Sequence, residues 1–231
     1  MIYSDFDDNW KSVILLSGLA NMKFQETKPF PREKTIRSGD KEFPCPNFEY
    51  FDEYEEESRL TRMTMVWSLI TIESLVNHVV ADCLNNKIVA INVIENPKNI
   101  IDSIILKSEV KKEELSKFRS ELVKKLIILN QEIFISSESI AVFKAAQEIS
   151  DLRNAIVHNK PVSMMELQDG GFEVFEYTKF NDRKVGIAKL SYKDLEGFFE
   201  KCDLLLSFLV KLRSELIEDI KEISFKALYN P

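Results

Sequence analysis

The stretch from Glu55 to Asn85 restricts this chain more than any other, because it is apolar on nearly every side. Val66, Trp67, Leu69, Ile70, Ile72, Leu75, Val76, Val79 and Val80 crowd too closely for a one-sided helix. The pattern predicts a long helix in the middle of a bundle. Val66, Ile70, Glu73, Asn77, Val80 and Leu84 share one stripe at helical spacing, so Glu73 and Asn77 are expected to interrupt a buried face. A buried carboxylate needs a partner. Glu73 therefore either pairs with a cation, for which Arg153 at the border of its own apolar face is the expected partner, or reaches solvent or a backbone group. His78 projects about 100° away from Asn77, which places it at the surface or an interface.

The rest of the chain fits a mainly all-α architecture, a bundle of four to five helices with a small β-hairpin. With 231 residues, one domain is expected, and 6 glycines with 7 prolines leave little turn material for an all-β fold. Residues 1–54 read as an N-terminal helix and loop elaboration, and 55–231 as the helical core. The opening helix is expected over about Asp7 to Phe24, with Trp10, Val13, Ile14 and Leu16-Ser17 on its apolar side. Lys28 to Asn47 reads as extended loop or a short strand pair, since Pro29, Pro31, Pro44 and Pro46 block helix. Phe48 to Glu57, acidic without a basic residue, suits the positive end of the helix that follows. Lys87 to Ile105 reads as a helix or turn pair around Asn96-Pro97, and Glu109 to Asn130 as a helix. A hairpin is expected over about 171–190, with strands Phe172–Tyr177 and Val185–Leu190 about the Asn181-Asp182 turn. Ser191 and Asp194 then form a capping-box-like start to a last helix reaching about Phe225.

Composition removes several chemistries. The two histidines and the separated Cys45, Cys83 and Cys202 do not have the spacing of a His/Cys zinc site. Gly170-Gly171 precede a strand, so they are no phosphate loop, and no nucleophile elbow occurs. No cofactor is expected. An odd number of dispersed cysteines points to free thiols and a cytoplasmic setting. The acidic N-terminus has the wrong charge for a signal peptide, and no apolar run is expected to reach the roughly 18 residues of a membrane span. A net charge of −7 argues against a general nucleic-acid coat, although a nuclease needs only a local basic surface.

The sharpest chemistry lies between Gln147 and Pro161, read as QEISDLRNAIVHNKP. Ile149, Leu152 and Ile156 give this helix one apolar face. Asp151, Asn154 and His158 share the opposite stripe, and Arg153 stands at the border. Pro161 stops the helix, leaving His158 in the last turn, where the dipole favours imidazolium.

The run RNAIVHN resembles the signature of the HEPN superfamily, an Arg, a polar residue, a short spacer and a His near a helix end. IESLVNHV likewise resembles that family's first long helix, with its Glu and Asn. The resemblance implies a helical domain, a homodimer, and a metal-independent endoribonuclease whose Arg and His from two protomers meet in one cleft. Carried over, Arg153 and His158 are the expected catalytic pair, with Asn154 as the motif's polar residue and Glu73, Asn77 and Asp151 in support. Lys160, Arg183 and Lys184 are the expected substrate-binding cations. RNA supplies its own 2′-hydroxyl nucleophile, so a proton-transferring His and a charge-stabilising Arg suffice. The family's usual settings, toxin–antitoxin pairs and antiviral defence, imply a neutralising antitoxin protein as partner. The alternative is a non-catalytic module of the same type that binds nucleotide, RNA or a protein.

Overall fold

The computed structural model describes residues 4–27, 33–38, 41–46, 48–85, 115, 117–130, 137–158, 163–166, 172–175, 177–181, 183–187, 190–212 and 223–230. These are mainly helical. The α-helices are α1 (Ser4–Thr27), α2 (Phe48–Asn85), α3 (Glu121–Leu129), α4 (Ser137–His158) and α5 (Asp194–Leu212). Six short strands form three separate antiparallel pairs: β1 (Glu33–Ser38) with β2 (Lys41–Pro46), β3 (Ser163–Glu166) with β4 (Phe172–Phe175), and β5 (Tyr177–Phe180) with β6 (Arg183–Gly186). The stretch Lys87 to Ile105, read above as a helix or turn pair, lies outside the described residues.

The first two helices form an antiparallel pair, because Lys23 near the end of α1 bridges Glu56 near the start of α2 at 3.2 Å. Phe6, Val13, Ala20 and Phe24 bury one side of α1, whereas Ile14, expected inside, is 45% exposed. The proline-rich connection holds the strand pair β1–β2, in which Thr35 faces Pro44 and Glu33 faces Pro46. A two-stranded pair has only edges, so prolines are tolerated there. The second helix begins at Phe48 rather than Glu55, taking the acidic run into its own first turns, where the dipole favours it.

The inward face of α2 is not the expected one. Met65, Leu69, Ile72, Val76 and Val79 are buried together with Thr61, Thr64, Ser68 and Thr71. The hydroxyls of Thr64, Ser68 and Thr71 donate to the carbonyls of Leu60, Thr64 and Trp67, four residues back, at 2.7–2.9 Å. Satisfied in this way, they bury at little cost. The stripe carrying Val66, Ile70, Glu73 and Asn77 consequently turns outward and is partly or fully exposed. The span Tyr54–Ala81 is also long and apolar enough to cross a membrane by length and composition, with mean hydropathy 1.3, contrary to the expectation above. The average runs across Glu73 and the hydroxyl residues, and 56% of that window is buried inside the bundle.

A single long helix over Glu109–Asn130 is not formed. Ser120 is extended (φ −65°, ψ 137°), and α3 starts only at Glu121. Its start is held by α4: Gln147 Oε1 accepts the N–H groups of Arg119 and Ser120 at 2.8 and 2.9 Å, and Ser120 Oγ meets Ser150 Oγ at 2.9 Å.

The single hairpin expected at 171–190 becomes two. The segment Phe172–Phe175 pairs backward with Ser163–Glu166, and only Tyr177–Phe180 turns through residues 181–182 onto Arg183–Gly186. Asn181 adopts φ 50°, which asparagine tolerates, as a two-residue hairpin loop requires. Its N–H donates to Glu148 of α4, which also pairs with Lys201 of α5 at 3.2 Å. A Cβ on Gly197 would collide with the Asn181 side chain, so glycine there lets the turn seat against α5. Phe180, fully buried beside Phe198, anchors the same turn.

The expected capping box opens α5, with the Asp194 carboxylate accepting the Ser191 N–H at 2.9 Å. Leu195, Phe198, Phe199, Cys202, Leu205, Leu206 and Leu209 line its inner side as expected. The helix does not continue to Phe225. Asp203 instead accepts the Phe225 and Lys226 N–H groups at 2.6 and 3.0 Å, capping a short 3₁₀ turn, Lys226–Leu228. Phe225 packs edge-on against Trp10 of α1.

Candidate functional site

Helix α4 is described as far as His158, with the expected stop at Pro161 outside the described residues, and Ile149, Leu152 and Ala155 are fully buried beneath the motif. His158 is exposed in the last turn, and Val157 beside it is 46% exposed. Arg153 is partly buried. Its Nη1 donates to Asn154 Oδ1 at 3.0 Å, while its buried Nε has no hydrogen-bond partner among the described residues. An unpaired donor of this kind is costly unless something else approaches it. Asn154 thus steadies the guanidinium rather than the imidazole.

His158 lies five positions after Arg153, about 140° around the helix and about 7.5 Å along it. Within one chain the two side chains leave α4 in different directions. A site using both needs a second surface to bring them together.

The supporting residues divide. Asp151 is exposed and accepts Gln147 Nε2 at 2.9 Å, which ties it to the α3 cap instead of to Asn154 and His158. Glu73 is only partly buried, and no ion pair joins it to Arg153 among the described residues. The inference of a buried Glu73 fails because the hydroxyl stripe of α2 took the inward side. Asn77 is exposed and accepts Lys125 Nζ at 2.6 Å, and Lys124 is paired with Glu121. Of the cations expected to hold substrate, Lys160 lies outside the described residues. Arg183 and Lys184 sit on β6, with only their backbone described. The turn preceding them is seated at Glu148, about 15 Å along α4 from His158.

One feature escaped the sequence reading. A groove of about 260 Å³ lies between α2 and α4, lined by Arg59, Arg62, Met63, Val66, Trp67 and Ile156. The spacing of its α2 residues was legible, but the groove depends on which side of α2 faces out. Among the described residues, no three His, Cys, Asp or Glu side chains gather closely enough to hold a metal ion. The thiol of Cys202 is pushed well up by complete burial, helped by Asp203, so it is no nucleophile.

The chain matches no family model, no curated protein and no solved structure.

Proposed function

We propose that this chain is a metal-independent endoribonuclease of HEPN type, acting as a homodimer in a toxin–antitoxin or antiviral-defence setting. The observation that carries the reading is the chemistry left open at the end of α4. An exposed His158 follows an Arg153 whose Nε has no partner among the described residues and whose Nη1 is steadied by Asn154. His158 of one protomer takes the proton of the RNA 2′-hydroxyl, whose oxygen attacks the adjacent phosphorus. The partner protomer's imidazolium returns a proton to the departing 5′-oxygen, so a 2′,3′-cyclic phosphate and a 5′-hydroxyl result. Arg153 neutralises the charge that builds on the phosphorane. The wide angle between Arg153 and His158 on one helix supports a composite site across a two-fold axis. Lys160, Arg183 and Lys184 hold phosphates of the substrate, and an antitoxin protein is the natural partner by the same resemblance.

The same wide angle also favours a second reading, a non-catalytic module of this type that binds nucleotide, RNA or a partner protein. Mixed RNAs incubated with the protein in EDTA separate the two. Cleavage is expected, and His158→Ala should lower it by about 10²-fold or more, the scale of one general acid/base. RNA left intact by the dimeric parent protein would exclude the enzyme and leave the binding module.

A further inference from the structure

We propose that the groove between α2 and α4 binds one unstacked nucleotide of a single-stranded nucleic acid, a reading that rests on RNA being the ligand of this chain. Trp67 receives the base face, and Arg59 and Arg62 receive the flanking phosphates.

The first support is charge. The chain carries a net −7, yet two arginines one helical turn apart stand at this groove. Arg59 is 65% exposed and, among the described residues, has only a long 3.8 Å contact with Glu56. Arg62 donates Nε to the Ser58 carbonyl at 3.2 Å, which fixes the side chain while engaging no carboxylate among the described residues. Two guanidiniums held this way suit successive phosphates.

The second support is shape. At about 260 Å³ the groove falls just below the roughly 300–1,000 Å³ of sites that enclose a small molecule. It suits one residue of a polymer passing through. Its walls are Trp67, Met63, Val66 and Ile156, an aromatic ring with apolar neighbours on which a base can stack irrespective of its identity.

The third support is position. Ile156 lies three residues after Arg153, so the groove ends beside Arg153 on the same side of α4, whereas His158 leaves from the opposite stripe. A strand laid along α2 arrives at Arg153. A second copy of this chain is a poorer occupant, because the described lining holds two arginines and no carboxylate, so pairing this face with itself would gather four cations without an acid among those lining residues to receive them.

The test uses His158→Ala protein, which leaves an RNA ligand uncut, titrated with a ten-residue oligo(A) RNA and the matching oligo(dA). Both should bind, since neither contact reads a 2′-hydroxyl, and Trp67 fluorescence should change on binding. Trp67→Ala should raise Kd about ten-fold, with Trp67→Phe restoring most of the affinity. The Arg59→Ala/Arg62→Ala pair should reduce the slope of log K against log salt by about 1.4, the release expected for two single-strand phosphates. Unchanged Kd and salt slope in these variants would overturn the assignment. So would unchanged binding with a loss of dimer in sedimentation, which would give the groove to a second copy. The arms stay separable from the ribonuclease reading: absent cleavage by the parent sinks the enzyme alone, whereas unaltered binding in the variants sinks the groove alone.

Discussion

The last twelve residues of α4 divide into two halves built to opposite rules. From Gln147 to Leu152 nearly every polar group is engaged: Gln147 caps α3, Ser150 meets Ser120, and Glu148 holds both the Asn181 turn and Lys201. From Arg153 to His158 the helix leaves an arginine Nε without a partner among the described residues and exposes Val157 and His158. The first half spends its side chains on joining three elements. The second half keeps its polar groups less engaged, which is what a candidate site requires of them.

The largest expected difference is in stability. Leu152→Ala, at a fully buried position, should cost about 2–5 kcal/mol in chemical denaturation. Val157→Ala, one and a half turns later, should stay within about 0.5 kcal/mol. Equal losses at the two positions would erase the distinction between the halves.

A smaller effect probes the engaged half. Gly197→Ala brings a Cβ into the Asn181 amide, so that side chain must turn away. The displacement should offset at least part of the gain of roughly 0.5–1 kcal/mol that alanine brings to a helix interior. Asn181→Gly removes the obstructing side chain and accepts φ 50° freely. In that background Gly197→Ala should bring the full gain. A substitution with an equal effect in both backgrounds would show that the turn does not seat against Gly197.

The smallest effect concerns pH. Glu57 is buried, and its carboxyl is raised above the ordinary 4.5, chiefly by desolvation and also by Asp194, against the lowering effect of the Tyr192 N–H it accepts at 2.6 Å. The folded state therefore holds this proton to higher pH than the unfolded chain does. Its contribution is fully present below 4.5 and is lost as pH rises through the folded value. Glu57→Gln should flatten that decline in denaturation midpoints measured from acid to neutral pH. A parallel decline in parent and variant would assign the pH dependence elsewhere.

Much of the architecture was legible because local rules were enough for it. The density of apolar residues in α2, the inner face of α5, the Ser191–Asp194 start and the Asn181 turn each follow from residues close in sequence. The candidate reagents Arg153, Asn154 and His158 were visible for the same reason.

Tertiary contacts decided the remainder. Which side of α2 faces the core turned on threonine and serine hydroxyls bonding carbonyls four residues back, which makes polar residues cheap to bury. That choice released Glu73 from the interior and opened the groove at Trp67. The break before α3 comes from Gln147, 27 residues beyond Ser120, and the last helix yields to a turn capped by Asp203, 22 residues before Phe225. A cap supplied from so far away leaves no trace in local spacing. The sequence by itself therefore determined most of the helical segments and pointed to candidate residues for chemistry. The outward face of α2 was settled by which side packed into the core, and the start of α3 by hydrogen bonds from a helix distant in sequence.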